Sequence, residues 1–317
     1  MAVYTSLNKD EIINFLSEFD VGVLKDFQGI TAGVENTNYF IHTDKNTFVL
    51  TIFEKRVDVK DLPYFISLMN HINNKGINCP YVIPNKNGEN INEIVGKKAI
   101  LISFLEGEDI SDNIDKNHTN DVGSVLSSMH NATADFPLHR DNSLGLKGVI
   151  DVFENIRDKL SDEYFEVINN EINYQKQNKI TGLPVGATHL DLFSDNVFFD
   201  LSTNKVSGVI DFYFSADDYY VYDLAITINA WCFKDFDNLD MSLAKSMIAG
   251  YEKNRILSNE EKLALPLLLR FACLRFLLTR SYDKIHTPKN ANVVVKNPDE
   301  YLQKLKYCQT ITNEDLF

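Results

Sequence analysis

Apolar positions recur along the chain with two periods, and the change of period divides it. Thr5, Ser6 or Asn8 can cap a first helix whose stripe is Ile12, Ile13, Leu16 and Phe19. From Val21 the pattern becomes short β-rich runs at Val23–Gly29, Asn38–His42 and Thr47–Phe53. Leu62, Phe65, Ile66, Met69 and Ile72 then fall at helical spacing, which predicts a helix over Lys60–Lys75 stopped by Gly76. Strands follow at Tyr81–Ile83, Ile91–Val95 and Lys98–Phe104. This is a small antiparallel sheet with a helix.

Beyond it the chain reads as mostly helical. Asp121–Ala134 carries Val122, Val125, Leu126 and Met129 on one face. Val149–Gln175 reads as two helices or one bent one. Asp217–Phe233, Met241–Tyr251 and Ser258–Ser281 follow, the last expected to break or bend at Pro266. Pro298 opens a final helix with Asn297 as its cap. The fold class expected is α+β, with a strand-rich lobe over 1–104 and a mainly helical lobe over 105–317.

One stretch interrupts the helices. Thr188–Phe212 reads T-H-L-D-L-F-S-D-N-V-F-F-D-L-S-T-N-K-V-S-G-V-I-D-F, a loop, strand, turn and strand with an acid at its end. Phosphoryl transfer asks for this spacing. An aspartate must reach the attacking hydroxyl, and an amide and a second carboxylate must hold a metal against the nucleotide phosphates. The protein-kinase pattern H-R-D-x-x-x-x-N with a later D-F-G is met as H-L-D-x-x-x-x-N and I-D-F, with Leu190 and Tyr213 as departures. Taken singly these residues read as turn and cap positions; together and in order they read as a catalytic set. The stretch resembles the small-molecule branch of the kinase-like fold, the aminoglycoside and choline kinase-like phosphotransferases. That resemblance implies Asp191 as base, His189 as brace of the loop, and Asn196 and Asp211 as ligands of Mg2+, with ATP as phosphoryl donor.

Composition narrows the partners. The 317 residues are 44% hydrophobic and 24% charged, ordinary for a soluble protein of about two domains. The net charge of −14 argues against broad nucleic-acid binding. Cys79, Cys232, Cys273 and Cys308 have no metal spacing and read as reduced cytosolic thiols. No signal peptide is read at the N-terminus. Leu263–Leu278 is shorter than the ~20 residues of a membrane span, and Arg270 and Arg275 interrupt it. The expectation is a cytoplasmic enzyme with a small-molecule partner and no membrane; no protein partner is indicated.

The nucleotide side is less distinct. No G-x-x-x-x-G-K-[ST] occurs. Gly29–Asn38 is the candidate phosphate-covering turn, through Gly33, Thr37 and Asn38, and it reads equally as a hairpin. Thr51 stands where kinases carry a strand lysine, and Asn70 and His71 stand where its glutamate partner would be. Lys55 and Arg56 are possible substitutes. Ile100–Gly107 either ends the sheet as a plain edge or is the hinge whose backbone, at Ser103, Phe104 and Leu105, pairs with adenine.

The strings G-V-E-N-T-N-Y-F, F-V-L-T-I-F-E-K, I-D-F-Y-F, Y-D-L-A-I-T-I-N-A-W-C-F and L-R-F-L-L-T-R together are similar to the bacterial homoserine kinases of this fold. They are unrelated to the galactokinase-like homoserine kinases. The likeness runs from Gly29 to the K-N-P-D-E-Y-L region and includes the strand without lysine. It implies phosphorylation of L-homoserine in threonine biosynthesis. A zwitterionic substrate asks for an arginine fork and acids. Arg270, Arg275 and Arg280 are five residues apart, so at roughly 140° steps they face different ways. Arg275, then Arg280, are the carboxylate candidates, against structural pairing with Asp217, Asp218 or Asp223. Asp223 is expected to tie its helix to the catalytic loop. Tyr213 and Trp231 could wall the pocket or sit in the core. Other acceptors, such as an aminoglycoside, choline or methylthioribose, and a nucleotide-binding pseudokinase remain alternatives.

Overall fold

The computed structural model of the chain describes residues 4–31, 36–54, 58–288 and 295–317. They form two compact units that part after Glu106.

The first unit opens with α1 (Lys9–Leu16), capped by Asn8. The Asn8 side chain accepts from the Glu11 N–H at 3.0 Å, and the Glu11 carboxylate accepts from the Asn8 N–H at 2.8 Å, which satisfies two end groups at once. Next come β1 (Leu24–Ile30), β2 (Thr37–Thr43), β3 (Thr47–Ile52), α2 (Leu62–Asn74), β4 (Val82–Ile83), β5 (Asn92–Ile94) and β6 (Lys97–Ser103). The strands make one antiparallel sheet in the order β1-β2-β3-β6-β4, with β5 also on β6. Strand residues alternate across the sheet. Tyr39, Ile41, Leu50, Ile52 and Leu101 therefore join Ile12, Phe15 and Leu16 of α1 in one core.

The second unit holds the remaining elements. They are β7 (Glu108–Asp109), α3 (Lys116–Ala132), α4 (Leu146–Ile156), α5 (Asp162–Gln177), β8 (Val185–Thr188), β9 (Val197–Asp200), β10 (Lys205–Val209), β11 (Ala216–Tyr219), α6 (Tyr220–Trp231), β12 (Phe233–Asp235), β13 (Asn238–Leu239), α7 (Met241–Tyr251), α8 (Asn259–His286), α9 (Asp299–Cys308) and α10 (Asn313–Leu316). The long helix α8 is the centre, packed by α4, α5, α6, α9 and α10. Its Leu265, Leu269, Ala272, Leu277 and Leu278 are fully buried.

Of the expected break or bend at Pro266, a break does not occur: α8 is continuous through it. The proline leaves the Lys262 carbonyl without its helical donor, and the Asn313 side chain supplies one at 2.7 Å. Pairing across α3 and α7 is close enough to demand glycine. A Cβ on Gly123 would lie 2.1 Å from the Met247 carbonyl oxygen. A second departure is at Asp217–Tyr219. These residues are not helical; they pair antiparallel with β8, and the helix begins only at Tyr220.

Candidate active site

Three sheet fragments of the second unit bring the motif together. Strand β8 ends at Thr188 and delivers His189–Asp191, and the β9–β10 hairpin starts just after Asn196 and ends just before Ile210 and Asp211. The hairpin's end is tied across by the Ile210 N–H donating to the Asn196 carbonyl at 3.0 Å. Asn196 and Asp211 thus stand at one end of the same ladder. Asp211 holds φ +64° and Leu190 φ +62°, left-handed conformations that cost a non-glycine residue energy and persist only where neighbours enforce them.

For Leu190 the neighbours that enforce it can be read group by group along the loop. The N–H groups of His189 and Leu190 donate to the two oxygens of Asp223, both at 2.8 Å. The Asp191 N–H donates to His189 Nδ1 at 3.3 Å. The Leu190 carbonyl accepts from Arg275 Nη1 at 2.7 Å, and the Leu192 carbonyl from Trp231 Nε1 at 2.9 Å. The Asp191 carbonyl takes the Phe193 N–H and Asn196 Nδ2, each at 2.8 Å. A buried loop pays for itself only with such complete pairing.

These bonds also settle the chemistry of the side chains. His189 accepts at Nδ1, so the proton is on Nε2, which donates to the Ile210 carbonyl at 3.0 Å. Burial lowers its pKa, against the pull of the Asp223 charge, so the ring is neutral. His130 is neutral by the same cause, with Nε2 donating to Asp223 at 3.0 Å and Nδ1 taking the Tyr251 hydroxyl at 2.7 Å. Burial would raise Asp223, but the hydrogen bonds it accepts from His130 and from the His189 N–H hold it below the ordinary range. Asn196 spends Nδ2 on Asp191, whose carboxylate lies 3.4 Å away, and its Oδ1 makes no hydrogen bond. That oxygen and the Asp211 carboxylate are hard donors of the kind a divalent cation takes. No cluster of three His, Cys, Asp or Glu occurs among the described residues.

The other expected site residues are placed less uniformly. Tyr213 is half-buried beside the buried Phe212. Arg275 is buried against the loop rather than paired with Asp217, Asp218 or Asp223. Arg280 Nη1 is held by Glu300 and the Asn297 carbonyl, an ion pair that pins α9 to α8. Arg270 is likewise taken, by Glu171. Trp231 is core, not pocket wall.

In the first unit, Gly33, Lys55 and Arg56 lie outside the described residues. Thr37 opens β2. Its hydroxyl is buried, accepts from the N–H groups of Tyr4 and Thr5, and donates to Glu54 at 2.8 Å. Asn38 is half-buried on β2, directly across from the buried Thr51. Ser103 ends β6, with Phe104 exposed and Leu105 buried beyond it. Sequence reasoning missed Glu54, whose carboxylate also takes Thr5 and Lys97. Burial raises that group, and the bonds from Lys97, Thr5 and Thr37 more than offset it, leaving it below its ordinary range. Among the described residues no helix is long and apolar enough to cross a membrane.

A phosphotransfer loop in an α+β scaffold of this kind defines a class, and comparison assigns it. Residues 26–257 match the Phosphotransferase enzyme family, and the chain belongs to that family. Within it, the chain is 44% identical over 316 residues to the homoserine kinase of Agrobacterium fabrum, covering 99% of this chain and 97% of that one. It is 42% identical over 319 residues to the homoserine kinase of Paramagnetospirillum magneticum, covering 98% of each. Among solved structures, an amicoumacin kinase bound to AMP-PNP and Ca2+ superposes with a TM-score of 0.71 at 12% identity, over 96% of this chain and 92% of that one. Choline kinase from Cryptosporidium parvum Iowa II gives a TM-score of 0.69 at 15% identity over 95% of both. The fold is the two-lobed kinase-like one, and the chain is an ATP-dependent kinase of small molecules.

Proposed function

We propose that the chain transfers the γ-phosphoryl group of ATP to the side-chain hydroxyl of L-homoserine, giving O-phospho-L-homoserine and ADP, with magnesium as the metal, in the cytoplasm. Full-length similarity to homoserine kinases supports the acceptor. The observation that carries the chemistry is the bonding of the loop: His189 to Leu192 is held from every side, and Asp191 stands on it within 3.4 Å of the Asn196 amide.

On this reading Asp191 orients the substrate hydroxyl and takes its proton as the new O–P bond forms and the bond to the β-phosphate oxygen breaks. Asn196, through Oδ1, and Asp211 would hold magnesium. When bound, magnesium would supply positive charge that offsets the charge of the nucleotide phosphates. His189, neutral, locks the loop to the end of β10 and transfers no proton. Asn38, Thr51 and the backbone at Ser103–Leu105 are assigned to the nucleotide.

The test is ADP release with L-homoserine beside L-serine, L-threonine, choline and kanamycin. Release with L-homoserine well above the other four supports the reading. Preference for choline or kanamycin overturns it.

A further inference from the structure

Arg275 is 2% exposed, yet its head group is only half used. Nη1 donates to the Leu190 carbonyl at 2.7 Å, while Nε is buried without an acceptor. Nη2 makes no hydrogen bond, and no carboxylate of the described residues lies within 4.0 Å of the group. The unused side is the Nε–Nη2 edge, the fork that grips a carboxylate in two places. This protein shows the filled version five residues earlier. Arg270 gives the same edge to Glu171, with Nη2 at 2.7 Å and Nε at 3.1 Å. A buried guanidinium whose fork is empty is costly unless something supplies the anion.

The matching opposite charge is Asp218, on β11. One of its oxygens accepts from Asn142 Nδ2 at 2.6 Å, and the other from the Tyr219 N–H at 2.7 Å. Burial pushes its carboxyl above the ordinary range, against the pull of Asn142 and, more weakly, of the Arg275 charge. Arg275 and Asp218 therefore feel each other without touching. Tyr222 feels both charges too. It is 1% exposed, and its hydroxyl lies by the Arg275 head group without a hydrogen bond of 3.5 Å or less. A half-buried acid and a buried arginine held apart, with a buried hydroxyl near them, are the complement of a zwitterion.

We propose that this cluster recognises the amino-acid head of the acceptor. Asp218, steadied by Asn142, takes the α-ammonium, and the Nε–Nη2 edge of Arg275, with the Tyr222 hydroxyl, takes the α-carboxylate. The assignment rests on the homoserine reading above and adds to it the origin of selectivity. Arg275 also holds the Leu190 carbonyl, one residue before Asp191. Filling its fork and setting the reactive loop are thus a single event, and an alcohol lacking either charge is a poor substrate.

The experiment is steady-state kinetics on the full chain with Mg-ATP, comparing the unmodified protein with Asp218→Asn and Asn142→Ala, folding being checked by thermal melts. Removing one partner of a desolvated charge contact costs about 100-fold in binding. The KM for L-homoserine is expected to rise by about that factor in Asp218→Asn and about tenfold in Asn142→Ala. The loss is carried by KM, with the KM for ATP within threefold. An L-homoserine KM within threefold of the unmodified value in both variants overturns the site, as does a loss carried by kcat alone. If the unmodified protein fails to phosphorylate L-homoserine, the functional reading fails first. The site then survives only if the alcohol it prefers carries both an ammonium and a carboxylate.

Discussion

Asp223 grips the peptide on either side of the His189–Leu190 junction, one carboxylate oxygen to each N–H at 2.8 Å. It comes from the first turn of α6, which is buried. The left-handed Leu190 is the shape this grip imposes on the chain that carries Asp191. In Asp223→Asn an NH2 would face one of those N–H groups, and the His130 bond would lose its charge. Breaking one side of a buried charged network costs about 3–5 kcal/mol. Urea unfolding should show a loss in that range, and kcat should fall at least tenfold in the protein that remains folded. An unchanged midpoint and rate would mean the grip is idle.

The two histidines around Asp223 make stability depend on pH. His130 and His189 are both lowered, chiefly by burial, so above the unfolded value of about 6.5 both states are neutral and nothing is lost. As pH falls below it, the unfolded chain binds protons that the folded one refuses, and stability drops by up to about 1.4 kcal/mol per pH unit for each ring until the folded values are reached. Asp223 behaves as a lowered acid. Its contribution is present above the unfolded carboxyl value and is lost only at lower pH. Melting temperatures from pH 7.5 to 5 should fall, and His130→Gln should reduce the slope. A flat profile would show charged histidines in the fold.

Much of this was legible in the chain. The helical spacing over Leu62–Ile72 and the runs of the first sheet place their elements within one or two residues of those observed. The motif likewise places Asp191, Asn196 and Asp211, because its members lie on one local loop and hairpin. What was hidden depends on distant partners. The polar start of α3 shows no apolar period and is set by the Asp115 cap, whose carboxylate takes the N–H groups of Asn117 and His118. Asp217 and Asp218 look like a helix's first turn, and only pairing with β8 makes them strand. Nothing in the spacing of three arginines tells that one meets Glu171, one Glu300 and one the carbonyl of residue 190.

Metal dependence should follow Asp211. Asp211→Asn keeps size and shape but removes the charge that a hard divalent ion requires. The magnesium concentration for half-maximal activity should rise about tenfold or more and kcat should fall with it. An unchanged magnesium titration would remove Asp211 from the ligand set.

The α3–α7 contact should tolerate no added atom. Gly123→Ala puts a methyl 2.1 Å from the Met247 carbonyl oxygen, which is backbone and cannot swing away. Overpacking of this kind costs about 1–3 kcal/mol. A lower urea midpoint with kcat per folded molecule unchanged is the expected result, and an equal or higher midpoint would show that the helices can part freely.

The most direct measurement is phosphorus NMR of L-homoserine and Mg-ATP incubated with the unmodified chain and with Asp191→Asn. The unmodified chain should form O-phospho-L-homoserine, and the variant, folded and with the same melting temperature, should form it about 10²–10⁴ times more slowly, as loss of a general base demands. Equal rates in the two, or no phosphoester from the unmodified chain, would contradict the account.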